Sequence, residues 1–428
     1  MKYQDLKCMS KNNENILVPK LRFPIFSGKK WEETTLTQVA DYENGKAHEQ
    51  DIEDAGDFIV VNSKFISQDG EVKKFTNTAF CPATKGDVLM VLSDIPNGKA
   101  IAKCFVVKEA NRYTVNQRIC RITPYNLNSK ILYYLLNRNA YFLAFNDGVK
   151  QTNLRKEDVL NCPLIIPSDP KEQEKISETL SSLEEVIITE YLKLEVLNEH
   201  KKGLLQHLFP QESETVPKLR FKEFEDNGEW GNTSLEKNCL VKGRIGYRGY
   251  TTEDLVSQGE GVLVLGGKHI QNQLLELKDP TYLSWEKYYE SPEIMVKVGN
   301  IIFSQRGTLG DCAIIDREIG LATINPSMVL LKNITCDARF LYYILIGDRI
   351  QIEVLKNRAM GAIPMLSQKQ IKEFPFLIPK NPKEQQKIAI CLSSLDDLII
   401  TQSQKVEALK LHKKGLLQGL FPTLNNEA

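Results

Sequence analysis

Along two stretches of the chain, apolar residues recur at alternating spacings of four and three. Ile176, Leu180, Leu183, Ile187, Leu194, Leu197, Leu204 and Leu208 fall on one such seam, and Ile388, Leu392, Leu395, Ile399, Val406, Leu409, Leu416 and Leu420 on another. An a/d pattern held over about five heptads predicts coiled-coil helices rather than ordinary surface helices. A proline stands before each seam (Pro170, Pro382), where it suits a first helical turn. Polar residues interrupt the seams at equivalent places, Glu190/Gln402 and Lys201/Lys413. Such interruptions set register, and two helices of this kind in one chain are expected to pack antiparallel. Some 40 residues at about 1.5 Å each make a rod of roughly 60 Å. Gly203 and Gly415 lower helix propensity near the ends.

Between the seams the pattern changes. Short β-rich runs (Phe58–Val61, Val88–Leu92, Ala102–Val107, Arg118–Ile122) alternate with Gly/Asn/Asp turns and lead into a helical piece around LYYLL. The second half repeats this with Val262–Leu265, Ile301–Ser304, Ala313–Ile315 and Met328–Leu331, then LYYIL. The expected class is α+β, with two tandem pseudo-symmetric modules and two long antiparallel coiled-coil helices. The expected divisions are module 1 over 18–167, the first helix over 168–210, module 2 over 216–379 and the second helix over 380–422.

An internal repeat ties these elements together. Leu164–Pro210 and Phe376–Pro422 align over 47 positions without a gap at an offset of 212, and 28 positions are identical. VPKLRF at Val18–Phe23 recurs at Val216–Phe221, each copy followed by a tryptophan (Trp31, Trp230). Weaker echoes pair FIVVNSKFI (58–66) with VLVLGGKHI (262–270), GDVLM at Gly86 with GNIIF at Gly299, and NQRICRI at Asn116 with NPSMVLL at Asn325. GVKQTNL (148–154) faces GAIPML (361–366). The copies agree most closely along the long helices and diverge in the modules between them.

Composition is that of a globular chain of 428 residues, 42% hydrophobic and 26% charged. No apolar run is long enough for a membrane span and the polar N-terminus has no apolar signal region, so a cytoplasmic protein is expected. Nine scattered cysteines without a CxxC pair point to reduced thiols rather than a disulfide framework or zinc site. The 55 basic and 55 acidic residues cancel, yet their distribution is uneven. From Lys99 to Asp158 eleven Lys/Arg stand against four acids, whereas from Ser168 to Phe209 nine acids stand against five lysines. A basic module beside an acidic rod is a different object from a neutral protein.

No constellation for catalysis emerges. Asp279-Pro280-Thr281-Tyr282 lacks the second proline and the upstream cofactor loop of an amino-methyltransferase, and reads as a turn. No GxxxxGK[ST] loop is present. His200, His207 and His412 lie on the predicted helices, and His48 and His269 are isolated.

Recognition remains. Arg, Lys, Asn and Gln read base edges, while Ser, Thr and Lys hold phosphates. Lys242–Tyr250 packs three cations, two tyrosines and three glycines into nine residues, offering Arg244, Tyr247 and Arg248. Ser304, Gln305, Arg306 and Thr308 form a second loop behind a strand, and Lys268 precedes it. Module 1 offers Lys64, then Ser93, Asn97 and Lys99, then Asn116, Gln117 and Arg118, then Lys150 and Gln151. Singly each is an ordinary polar loop residue; as a set they favour contact with double-stranded DNA.

The doubled VPKLRFxxF…W leader, the G…NL/ML turns, the PKEQxKI helix starts and the HKKGLLQxLFP helix ends resemble the specificity (S) subunit of type I restriction–modification systems. The likeness runs from about residue 18 to 422. It implies two target recognition domains, each reading half of a split DNA sequence, and spacer helices that fix the gap. The helix segments match those spacers and imply docking of two methyltransferase subunits, with motor-nuclease subunits joining them. It implies a non-catalytic chain without a cofactor, S-adenosylmethionine, ATP and Mg belonging to the partners. By analogy with other two-headed readers, half-site centres about 34–36 Å apart are expected, and the target adenine would be flipped into a partner's pocket. Base identities do not transfer, and residues 1–17 have no assigned role. A free-standing DNA-binding regulator and a coiled-coil adaptor with two protein-binding heads remain as rival readings.

Overall fold

The structure, a computed structural model, describes residues 18–96, 98–358 and 364–422. Two long helices, Pro170–Leu208 and Pro382–Leu420, each run for 39 residues. Each begins on its proline, and the residue before it caps the start: Asp169 Oδ1 accepts the Lys171 N–H and Asn381 Oδ1 accepts that of Lys383. These caps satisfy amides that the first turn otherwise leaves without partners.

The chain forms two compact units, whose limits fall inside the helices rather than at their ends. Unit 1 takes residues up to Glu190 and from Lys405 onward; unit 2 is Tyr191–Gln404. The reason lies in the apolar seam. Ile176 and Leu180 at the start of the first helix, with Leu420 and Phe421 at the end of the second, are built into the core of module 1. Leu208 and Phe209, with Ile388 and Leu392, do the same for module 2. The outer turns of the seam therefore belong to module cores, which differs from a seam devoted to helix pairing alone. Its inner positions Leu183, Ile187, Leu194, Leu197, Ile399 and Leu409 are half-buried, while Leu395 and Val406 are buried.

In unit 1 the strands Ala40–Asn44, Ile119–Pro124, Val88–Val91 and Cys104–Val106 form an antiparallel sheet in that order. A second sheet orders Phe75–Thr76, Phe58–Val61, Tyr113–Val115 and Pro82–Ala83, with Ile59 opposite Tyr113 in a parallel pair. Unit 2 repeats the first sheet with Leu240–Gly243, Met328–Lys332, Ile301–Ser304 and Cys312–Ile314. Its second sheet again holds a parallel pair, Gly261–Leu265 with Ala322–Ile324. The predicted strands lie within two residues of the observed ones, but the parallel partners Tyr113–Val115 and Ala322–Ile324 and the edge strands Ala40–Asn44 and Leu240–Gly243 were not anticipated.

The central strands Val88–Val91 and Ile301–Ser304 are covered on both faces, so they read as apolar runs. Successive strand side chains point to opposite faces. Val88 and Met90 join the core that faces the helices, while Leu89 and Val91 join the one between the sheets. In unit 2, Ile301 and Phe303 face one way and Ile302 the other.

The repeated motifs have a shared structural cause. Arg22 of the VPKLRF leader donates from Nε and Nη2 to the two carboxylate oxygens of Glu172, at 2.8 and 2.7 Å, and Trp31 Nε1 lies 3.3 Å from the same group. Arg220, Trp230 and Glu384 repeat this at 2.8, 2.9 and 3.2 Å. Both glutamates are fully buried, and a bidentate guanidinium is the partner that such a carboxylate requires. The neighbouring glutamine of PKEQ completes the joint: Gln173 accepts the Asn128 N–H and Gln385 that of Asp337, each at the start of the Tyr-Tyr helix. Leader, helix start and module are thus locked together in each copy.

Candidate nucleic-acid interface

Three predicted residues of module 1 converge. Lys64, Asn116 and Arg118 line one open cleft of about 620 Å³, together with Asn62, Lys74 and Glu49. Lys64 sits on the short helix Ser63–Ser67, whose start is capped by Asn62 Oδ1 on the Phe65 N–H. Asn116 and Arg118 come from the turn that leads from one sheet to the other. Gln117 is exposed and donates to Glu49 at 3.1 Å. Lys74 was missed at the sequence level; its signal is the Lys73-Lys74 pair directly before the edge strand Phe75–Thr76.

A second feature joins distant segments. Ser93–Asp94 pairs with Thr152–Asn153, and Gln151 Nε2 donates to Ser93 Oγ at 2.7 Å. Asp94 organises the loop behind it, its carboxylate accepting N–H groups of Ile95, Ala100 and Ile101. Lys99 and Lys150 are exposed there. The Lys150 turn is held by Asp147, whose carboxyl is lowered below its usual range by the Lys150 and Val149 amides. Ser93 itself is buried and supports this arrangement from within, a correction to its expected place at the surface. Asn97 lies outside the described residues.

Module 2 builds the same juncture from different side chains. Arg306 bridges to Met365, and the Leu366 N–H donates to Gln305 O at 2.9 Å. Arg306 is exposed, with Nη2 3.2 Å from Met365 Sδ, and Thr308 is exposed beside it. Gly307 between them has φ +85°, a conformation that L side chains adopt only with strain. Gln305 Nε2 donates to Pro326 O. Ser304 is fully buried and donates to Arg306 O, so it shapes the loop instead of presenting a hydroxyl, again contrary to expectation.

Two of the remaining cations are also internally engaged. Arg244 is only 7% exposed. Its guanidinium lies 5.1 Å from the Tyr250 ring and reaches Ile324 O, Thr323 Oγ1 and Ser291 Oγ at 3.2–3.4 Å. Burial pulls it below the usual arginine range, with Tyr250 and Glu293 working in the opposite direction. It is a structural cation of module 2, which corrects its expected role as a surface contact. Lys268 donates to Asp279 O and Thr281 Oγ1 at 2.5 and 2.8 Å. Arg248 is half-exposed, 3.4 Å from Glu293 and 5.5 Å from the ring of Tyr247, a residue that is 81% exposed. Among the described residues no group of three or more His, Cys, Asp or Glu side chains is placed to hold a metal ion, and no helix is long and apolar enough to cross a membrane.

The twofold occurrence of one module with different loop chemistry agrees with comparison to known proteins. The family model for the type I restriction modification DNA specificity domain matches residues 28–199 and 243–411. The chain belongs to the type I restriction–modification DNA specificity family. It is 26% identical over 310 residues to a protein described as the MjaX type I restriction enzyme specificity subunit of Methanocaldococcus jannaschii, covering 70% of this chain and 68% of that one. The crystal structure of a type I restriction–modification S subunit from M. genitalium superposes with a TM-score of 0.62 at 18% identity, covering 95% of this chain and all of that one. A chain from a structure concerned with complex assembly and conformational transition of the type I system matches with a TM-score of 0.51 at 15% identity, over 91% of this chain and 97% of that one. At these identities the two structures speak for the fold, and the two family matches coincide with the repeat.

Proposed function

We propose that this specificity chain reads a bipartite DNA target, one half-site per module, and carries methyltransferase subunits to it. The observation that carries the reading is the repeated joint beside each antiparallel sheet. The same backbone pairing has Lys99, Lys150 and Gln151 on its adjoining loops in module 1 but Gln305, Arg306 and Thr308 at the equivalent place in module 2. A constant backbone with exchanged side chains is what reading of two different base sequences requires. Lys64, Asn116, Gln117 and Arg118 add to module 1, and Tyr247 and Arg248 to module 2. Methylation then acts on an adenine flipped from the stack into a partner's pocket.

The long helices supply the docking faces in this reading. Ile188, Leu192, Val196, Leu398 and Leu411 are each more than half exposed and lie off the seam. Two methyltransferase subunits are assigned there, with motor-nuclease subunits joining through them. The chain itself is non-catalytic and cytoplasmic, and S-adenosylmethionine, ATP and Mg belong to the partners. Co-expression with a methyltransferase subunit tests this. The reading expects a stable complex that methylates one split sequence; a supplied methyltransferase that leaves all DNA unmodified contradicts it.

A further inference from the structure

The two modules carry one equivalent site in two different electrostatic states. Backbone hydrogen bonds fix the correspondence. The Val60 N–H donates to Lys74 O as that of Val264 donates to Thr281 O, both at 2.8 Å. The Leu92 N–H donates to Arg118 O at 2.9 Å as that of Gln305 donates to Ser327 O at 2.9 Å. With Lys64 matched to Lys268 by the repeat, Lys64, Lys74 and Arg118 in module 1 correspond to Lys268, Thr281 and Ser327 in module 2.

In module 2 this set is closed. Lys268 spends its donors on Asp279 O and Thr281 Oγ1, and Ser327 Oγ donates to Asn325 Oδ1 at 2.7 Å. In module 1 the replacement of threonine by Lys74 removes the acceptor that would tie down Lys64. Among the described residues, none of the three module 1 cations has a side-chain hydrogen bond or ion pair. All three line the same cleft, and Glu49, the one carboxylate among its lining residues, accepts from Gln117. Unpaired like charges in one concavity repel one another and attract a polyanion. Duplex DNA offers such charge at about one per 1.7 Å of axis.

We propose that the module 1 cleft seats the DNA backbone, with Lys64 and Lys74 on phosphates and Arg118 free for a base edge. Module 1 is then the electrostatic anchor, and module 2 contributes little salt-dependent affinity through its equivalent face. The inference rests on the DNA-reading function proposed above.

The test is equilibrium binding of the full-length chain to a labelled random-sequence duplex across a KCl series. Each phosphate contact contributes about 0.9 to the slope of log K against log salt. The Lys64→Ala/Lys74→Ala variant is expected to lower that slope by about 1.8 and to weaken every duplex alike. Lys268→Ala is expected to leave the slope unchanged. An unchanged slope in the double variant, or an equal drop in Lys268→Ala, overturns the anchor while leaving DNA reading intact. A wild-type chain that binds no duplex, even with a co-expressed methyltransferase subunit, overturns the reading beneath it.

Discussion

Lys201 on the first long helix lies 2.6 Å from Asp396 on the second, and that carboxylate also accepts the hydroxyl of Tyr343 at 2.6 Å. The repeat places the same partners in unit 1, where Lys413 lies 2.7 Å from Glu184 and over the ring of Tyr134. Both pairs run antiparallel, and both use the lysine of HKKG. The polar break in the seam is thus a paired charge that joins two helices to one module.

The Lys201 pair is the more enclosed, at 18% and 13% exposure against 25% and 31% for the Lys413 pair. Charge pairs are coupled more strongly as water is excluded. Lys201→Ala is therefore expected to destabilise unit 2 by about 1–3 kcal/mol, and Lys413→Ala to destabilise unit 1 by less. Denaturant unfolding in a double-mutant cycle with Asp396→Ala measures the coupling. Additive single effects would remove the pair from the account.

Glu172→Gln replaces a fully buried carboxylate that Arg22 addresses through Nε and Nη2. Breaking a buried pair on one side costs about 3–5 kcal/mol, because the remaining charge stays desolvated. The variant is expected to lower the unfolding midpoint strongly, and Glu384→Gln to do the same through unit 2. Urea unfolding followed by tryptophan fluorescence reports both, since Trp31 and Trp230 sit against these carboxylates.

Burial pushes the Cys81 thiol up to about 11, with Glu43 adding to it, and pushes Cys162 and Cys239 up to about 12. Unfolded thiols ionise near 9.0, so above that pH the unfolded chain binds fewer protons than the folded one. Stability is expected to be fully present below about pH 9 and to fall as pH rises towards the folded values. Urea midpoints measured on either side of that pH check the sign. The same thiols are expected to react with a thiol reagent only on unfolding.

Arg306→Ala removes an exposed guanidinium from a loop whose shape is set by Ser304 and Gly307. The fold is expected to be untouched, and base preference to relax in one half-site alone, by about 1–3 kcal/mol of discrimination. Methylation mapping reads this directly; equal loss in both halves would argue against independent modules.

Much of the architecture was legible because its signals are periodic. The heptad seam gave both long helices, and apolar runs gave three strands of each antiparallel sheet, while the edge strands Ala40–Asn44 and Leu240–Gly243 escaped because charged residues interrupt them. The parallel partners escaped because Tyr113–Val115 and Ala322–Ile324 each carry a threonine at the centre of three residues, so no apolar run marks them. The capture of Ile176 and Leu420 by a module core escaped for another reason: an apolar seam names what must be buried, not what buries it. Candidate contacts were only partly readable. Arg244 and Arg306 look alike in sequence, and only packing shows that one is enclosed by Tyr250 and Ser291 while the other faces water. Lys74 escaped because its importance depends on Lys64 lying across the cleft.

The central claim, one half-site per module, is tested most directly by exchanging residues 18–167 for the first module of another family member and mapping methylated adenines across the genome. The account predicts a new sequence in one half of the split target, with the other half unchanged. A target altered in both halves, or in neither, would contradict it.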